Sequence, residues 1–148
     1  DQEITKIVKT DDSISHQMKL ATSVTGVGQI IAANMIITTN EFQDIRHHKK
    51  YACYAGIAPF DHQSGISLRS KKRVSHFANK TIKSLLHLGA RSAVQFSPEL
   101  KQYYERKCAE GKAKMSVLNA VCNKLITRVF VCINNNRPYQ KNYEKAIA

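Results

Sequence analysis

Apolar side chains recur at helical spacing through most of the chain. Residues 2–22, 79–96 and 114–133 carry apolar positions three or four residues apart, which predicts amphipathic helices. Shorter helices are predicted over 44–55 and 97–111. Because no convincing run of alternating apolar and polar positions predicts strands, we expect an all-α fold, a compact helical domain.

Start and stop signals support these helices. Gly56 and Pro59 follow the short helix, and Gly111 ends the helix that Ser97-Pro98 begins with a capping residue and a proline at its first position. Residues 114–133 carry the broadest apolar stripe and are predicted to form the central buried helix.

The chain divides into three predicted parts. Residues 1–19 are expected to end an upstream helical, coiled-coil-like segment, with a polar interruption near Asp12. Residues 20–135 form the domain, and residues 136–148 are a polar tail. The chain opens without a methionine and in the middle of a helical pattern, so we expect it to be a piece of a longer protein.

A Gly26-Val27-Gly28 turn joins two helical patterns, and Ala32 and Ala33 follow it. This arrangement is typical of a helix-hairpin-helix motif, in which glycines permit a tight turn and small residues let the helices approach. Free backbone N–H groups at the start of the second helix could bind a DNA phosphate, so Gly26 and Gly28 are candidate nucleic-acid contacts. A simple helical hairpin explains the same pattern.

The net charge of +12 is unevenly distributed. Residues 1–60 hold six Lys or Arg and six Asp or Glu, whereas residues 61–148 hold seventeen and five. The excess predicts binding of a polyanion such as DNA or RNA.

A Ser-Gly pair, Ser64-Gly65, lies in a segment without helical period, for which we predict a loop with a small irregular hairpin turning at Gly65. A hydroxyl beside glycine is a candidate nucleophile, because the turn lets a bulky substrate approach. The same dipeptide is also common in plain surface turns.

Cations and polar residues follow the Ser-Gly pair up to the first turn of the helix predicted over 79–96. They could neutralise a phosphodiester, and the helix dipole would add about 0.3 to 1 kcal/mol. The candidate nucleic-acid-binding residues of this stretch are Gly65, Arg69, Lys71, Lys72, Arg73, His76, Asn79, Lys80 and Lys83.

Metal and membrane signals are weak. The four cysteines include no Cys-x-x-Cys pair, so we predict reduced thiols and no metal site. No stretch approaches the roughly 20 apolar residues of a membrane span, and no membrane partner is predicted.

The order of motifs resembles the C-terminal domain of the transposases of the insertion-sequence 110, 116 and 902 family. The likeness covers roughly residues 20–135. The motifs, in chain order, are Thr25-Gly-Val-Gly with Ala32-Ala33, Phe42, Tyr51-Ala-Cys-Tyr-Ala-Gly-Ile-Ala-Pro, Gln63-Ser-Gly, the basic run formed by Arg69, Lys71, Lys72 and Arg73, Asn79-Lys-Thr-Ile-Lys-Ser-Leu-Leu, Tyr104-Glu-Arg, Gly111-Lys and the last apolar helix.

The resemblance implies a bacterial DNA recombinase, cytoplasmic and nucleoid-associated, that acts as an oligomer with a structured guide RNA. It implies that Ser64 attacks DNA and forms a phosphoserine link. An N-terminal RuvC-like domain that binds Mg²⁺ is expected in such proteins, and these 148 residues contain no counterpart of it, so no cofactor is expected in this chain.

The chain departs from the family pattern after the basic run. His76 and Ala78 stand where the family commonly has Lys and Gly, and Ile82-Lys83 replaces Leu-Arg. Without the other domain, we expect this chain to bind nucleic acid but not to recombine it. The alternative hypothesis is a non-catalytic helix-hairpin-helix module in which Ser64 is only a turn residue. A protein contact through the helix near Ile4 is compatible with either hypothesis.

Overall fold

The computed structural model describes residues 11–58, 63–64, 68–69 and 78–141. Six helices lie in these ranges, and β1 (Gln63–Ser64) pairs antiparallel with β2 (Leu68–Arg69). The predicted all-α fold is confirmed, with this two-residue ladder as an addition. The helices are α1 (Asp12–Thr22), α2 (Gln29–Thr38), α3 (His48–Tyr54), α4 (Lys80–Phe96), α5 (Pro98–Ala109) and α6 (Lys114–Asn134).

Helix α6 is the centre of the core, as its apolar stripe predicts. It packs against α1, α3, α4 and α5, and each large aliphatic side chain that it buries stabilises the fold by roughly 1.5 to 3 kcal/mol. Its buried residues are Val117, Val121, Cys122, Leu125, Ile126, Val129, Phe130 and Cys132.

The length and composition of α6 also satisfy the criteria for a membrane span, so the prediction that no stretch approaches one is wrong on those two criteria. Its most apolar window has a mean hydropathy of 1.5, and 44% of that window is buried inside the domain. The central helix of a water-exposed helical domain meets the same criteria. Since four other helices cover α6, its apolar stripe is explained by the core.

Helix α1 begins where the polar interruption is predicted. The Asp11 carboxylate accepts hydrogen bonds from the backbone N–H groups of Ser13 (2.8 Å) and Ile14 (3.3 Å), which makes Asp11 the N-cap. The predicted helical continuation upstream lies outside the described residues.

The short helix α3 begins at His48, so the predicted start at residue 44 is wrong. Asn40, Glu41 and Phe42 adopt left-handed φ angles of 49°, 54° and 62°, and the backbone N–H of Asp44 donates to the Thr39 carbonyl (3.1 Å). This turn sends Phe42 into the core, where its ring lies edge-on to Phe130 at 5.1 Å between ring centres. His47, the N-cap, has an extended backbone (φ −114°, ψ 128°), so the helix begins one residue after it.

Residues 137–141 follow α6 without helical structure and lie against the domain. The backbone N–H of Tyr139 donates to the Ser23 hydroxyl (2.8 Å). The guanidinium of Arg128 lies 4.8 Å from the centre of the Tyr139 ring. The start of the predicted polar tail is therefore docked on the end of α1 and on α6.

Candidate nucleic-acid interface

We call the segment between α3 and α4 the Ser-Gly loop. Its two ends meet at Tyr54 and Asn79, which are 25 positions apart in sequence. The backbone N–H of Asn79 donates to the Tyr54 carbonyl (2.9 Å), and its side-chain amide donates to the Tyr54 hydroxyl (3.1 Å). The Asn79 side-chain oxygen accepts from the N–H of Ile82 (3.1 Å) and caps α4. Asn79 thus closes the loop and starts the helix.

The entrance of the loop is also tied to α6. The Asn119 side-chain amide donates to the carbonyl of Ile57 at 2.6 Å, and the Ile57 side chain is buried. Because Ile57 comes shortly before the segment that leads to Ser64, this hydrogen bond fixes the direction in which the chain leaves α3.

The first two turns of α4 place three polar residues on one face at intervals of four, namely Asn79, Lys83 and His87. Burial lowers the pKa of His87, the nearby Lys83 charge lowers it further, and a side-chain hydrogen bond with Asn119 opposes both. His87 is therefore neutral at pH 7. The positive charge at this end of α4 comes from Lys80 and Lys83.

Backbone pairing supports the predicted hairpin around Gly65. Gln63 pairs with Arg69 and Ser64 with Leu68, which leaves 65–67 to join the two strands. Ser64 thus stands on the ladder beside the turn. The candidates Gly65, Lys71, Lys72, Arg73 and His76 lie outside the described residues, so their roles stay predictions.

The two glycines of the α1–α2 turn have different surroundings. A Cβ on Gly26 would lie 2.6 Å from both the Ala93 Cβ and the Gly89 carbonyl oxygen of α4, so Gly26 is a packing position. Gly28 is exposed, a Cβ added to it would meet nothing within 4 Å, and it caps α2 without a side-chain hydrogen bond. Of the two candidates, Gly28 has the surroundings that a phosphate contact needs.

Cations dominate the described second half of the chain. Residues 78–141 contain twelve Lys or Arg and three Asp or Glu. Exposed Lys80 and partly buried Lys83 belong to this excess, which gives the N-terminal end of α4 a positive potential.

Metal-binding chemistry has no evident support in the part of the chain that the structure describes. No group of three or more His, Cys, Asp or Glu side chains there could hold a metal ion. Burial raises the pKa of the Cys122 thiol to about 12, so this thiol stays protonated at neutral pH and is a poor ligand or nucleophile.

Sequence reasoning missed three residues of this interface, namely Tyr54, His87 and Asn119. The sequence pattern predicts a buried Tyr54, but the residue is exposed and its hydroxyl binds Asn79. The helical spacing over 79–96 predicts an outward His87, which is partly buried beside Asn119. The available signal for Asn119 was one amide among the apolar positions 117–122.

Replacing Asn119 with alanine is expected to lower the free energy of unfolding by about 1 kcal/mol, because the Ile57 carbonyl loses its side-chain donor. Urea unfolding measures the difference. Asn123→Ala, one turn further along α6 at an exposed position, is the matched control and should change it by less than about 0.5 kcal/mol. Equal effects of the two variants would contradict a specific tie to the loop.

In a comparison with known protein families, residues 18–105 match the transposase family described as IS116/IS110/IS902. The pilin gene-inverting proteins of Moraxella bovis and Moraxella lacunata are each 27% identical to the chain over 143 residues, covering 95% of the chain and 44% of each relative. An IS110 insertion-element protein of Streptomyces coelicolor is 27% identical over 119 residues, covering 80% of the chain and 29% of that protein. The chain thus spans less than half the length of these relatives.

Proposed function

The chain belongs to the IS116/IS110/IS902 transposase family, and we propose on that premise that it is the serine-bearing, nucleic-acid-binding domain of a DNA recombinase. The intact protein would act on DNA as an oligomer in the bacterial cytoplasm, with a guide RNA. The relatives named as gene-inverting proteins support a recombination reaction.

Ser64 is the proposed nucleophile. Its oxygen forms a bond to a DNA phosphorus while the P–O3′ bond breaks, the serine proton is lost, and the leaving O3′ becomes a hydroxyl. A 3′ hydroxyl of the recombining strand then attacks the phosphoserine, and the P–Oγ bond breaks. The observation that carries this proposal is the Ser64–Leu68 pair at the hairpin turn, on a loop whose ends Asn79 joins to Tyr54 beside Lys80 and Lys83.

A phosphoryl transfer needs positive charge where the phosphorus gains negative charge. Lys80, Lys83 and the basic run 69–73 are the proposed source. The Mg²⁺ that the family resemblance implies is proposed to be held by the RuvC-like domain of the intact protein.

The test uses the intact parent protein with its own element and flanking DNA. After denaturation, a protein–DNA adduct is isolated, digested and sequenced by mass spectrometry. The expected result is a phosphodiester remnant on the peptide that contains Ser64. An adduct on another residue, or recombination without any adduct, would contradict the proposal.

The second candidate function is a module that only grips nucleic acid. The exposed N-terminus of α2 at Gly28, which lacks a side-chain cap, favours it together with the cationic excess. Under this hypothesis binding is intact and Ser64 never carries DNA.

Neutralising the basic run should weaken nucleic-acid binding under both hypotheses. For Lys71→Gln with Lys72→Gln, the slope of log K against log salt should fall by about 0.9 for each duplex phosphate that is no longer neutralised. Fluorescence anisotropy at several salt concentrations measures it. Lys19→Gln, at an exposed position on α1, is the control. Unchanged slopes in the double variant would remove the basic run from the interface.

A further inference from the structure

A shallow groove of about 450 Å³ lies between α5 and α6, on a part of the surface that has no role in the proposed Ser64 reaction. No carboxylate lines it, and all its lining residues except Ala120 have side chains that can donate a hydrogen bond from nitrogen or a hydroxyl. The groove is lined by Tyr103, Ala120, Asn123, Lys124, Thr127 and Arg128.

Lys124 is the cation in the groove that is available to an anion. Its ammonium lies 4.5 Å from the centre of the Tyr103 ring, and Arg106 approaches the same ring at 5.8 Å. The ring attracts both cations through its π face without neutralising their charge. Lys124 has no carboxylate partner among the described residues.

Arg128 forms a fixed wall of the groove. Its side chain is 14% exposed, and one terminal nitrogen lies 2.7 Å from a Glu99 carboxylate oxygen. The other terminal nitrogen, Nη1, is buried without a hydrogen-bond partner among residues that the structure describes. The Glu99 carboxylate balances the Arg128 charge, so the net positive charge of the groove comes from Lys124, while the Arg128 Nη1–H remains a hydrogen-bond donor.

A polar stripe on α6 connects this groove to the root of the Ser-Gly loop. Asn119, Asn123 and Thr127 follow one another at intervals of four and so share a face. Asn119 binds the Ile57 carbonyl at the loop entrance, whereas Asn123 and Thr127 line the groove. Lys124 follows Asn119 by five positions, so about 7.5 Å of helix separates it from the loop entrance. This length corresponds to roughly two nucleotides at about 3.4 Å of duplex axis per phosphate of one strand.

We infer that the α5–α6 groove is a second backbone contact for the nucleic-acid strand that Ser64 acts on, with Lys124 bound to a phosphate roughly two nucleotides from the one at the loop entrance. This inference rests on the proposed function for the spacing between the two bound phosphates. The class of ligand is inferred from the residues that line the groove. The ligand is a phosphodiester backbone, which DNA and RNA share.

The first test compares Lys124→Gln with Lys19→Gln in the intact parent protein, since each removes one positive charge. Binding of single-stranded RNA, single-stranded DNA and duplex DNA is measured by anisotropy across a salt series. For at least one of these, Lys124→Gln should weaken binding about tenfold or more, as expected when one hydrogen bond to a charged group is removed. It should also lower the salt slope by about 0.7 for a single strand or 0.9 for a duplex.

The nucleic acid that shows the lowered slope is the one that the groove binds. Slopes that match Lys19→Gln on all three would overturn the inference. A Ser64 adduct together with such matching slopes would retain the proposed function and reject the groove. A missing adduct together with a lowered slope for Lys124→Gln would reject the proposed function and retain the groove as a backbone contact.

The second test measures the register. Benzoylphenylalanine in place of the exposed Asn123 is cross-linked by light to bound DNA, and the cross-linked nucleotide is mapped relative to the phosphate joined to Ser64. The expected separation is a few nucleotides, because about 6 Å of helix separates Asn123 from Asn119 at the loop entrance. A separation beyond about ten nucleotides, or a cross-link to another strand, would overturn the single-strand path.

Discussion

Ser64→Ala is expected to abolish strand transfer by the intact parent protein, with a reduction of about 10⁴-fold or more. Alanine has no oxygen to bond to phosphorus, so neither the phosphoserine link nor the step that resolves it can occur. Binding should change by less than about twofold, because the phosphate contacts come from cations and backbone N–H groups. Product formation and the denaturant-resistant adduct are quantified side by side.

Ser67→Ala is the matched control for this prediction. Ser67 follows Ser64 by three positions in the sequence and offers the same hydroxyl. The variant should keep the adduct and most of the activity. If the adduct disappears in Ser67→Ala but persists in Ser64→Ala, Ser64 is not the nucleophile.

Gly26→Ala is expected to cost about 3 to 5 kcal/mol of stability, a large part of the roughly 5 to 15 kcal/mol available to a domain. The backbone at Gly26 has φ +94°, which strains any side chain, and the new methyl group would lie 2.6 Å from the Ala93 Cβ and the Gly89 carbonyl oxygen. Because α2 packs on α4 next to this turn, the two helices would have to separate. Urea unfolding of the chain measures the change.

Two other glycines separate the causes of that destabilisation. Gly111→Ala has the backbone strain alone, with φ +84° and nothing within 4 Å, and should cost about 1 kcal/mol. Gly28→Ala meets neither strain nor close approach and should cost less than about 1 kcal/mol. Adding Ala93→Gly to Gly26→Ala should restore part of the stability, since it removes one of the two clashes. A Gly26→Ala effect no larger than that of Gly111→Ala would contradict close packing on α4.

The same variants distinguish folding from binding in the α1–α2 turn. Gly28→Ala should leave the fold intact and therefore report on whether this turn contacts nucleic acid. Gly26→Ala weakens any function through unfolding and carries no such information. Of these two variants, only Gly28→Ala therefore tests whether the turn binds nucleic acid as a helix-hairpin-helix motif does.

Local sequence determined the helices of this protein and where several of them end. The predicted helices over 79–96, 97–111 and 114–133 correspond to α4, α5 and α6 within two residues at each end. Apolar periodicity, the Ser97-Pro98 start and the Gly111 stop act over a few residues, so they are readable without the fold. The uneven distribution of positive charge is likewise a property of sequence alone.

Tertiary structure decided what the side chains between these helices do. Gly26 has the sequence context of a phosphate-binding turn, but its closest neighbours belong to α4, more than sixty positions away. Tyr54 has the spacing of a buried residue, and only the meeting of α3 and α4 brings its hydroxyl to Asn79. Lys124 and Tyr103 lie on different helices, so no local pattern predicts their contact. Helix propensity is a short-range property, whereas the loop closure and the α5–α6 groove depend on contacts between residues far apart in sequence.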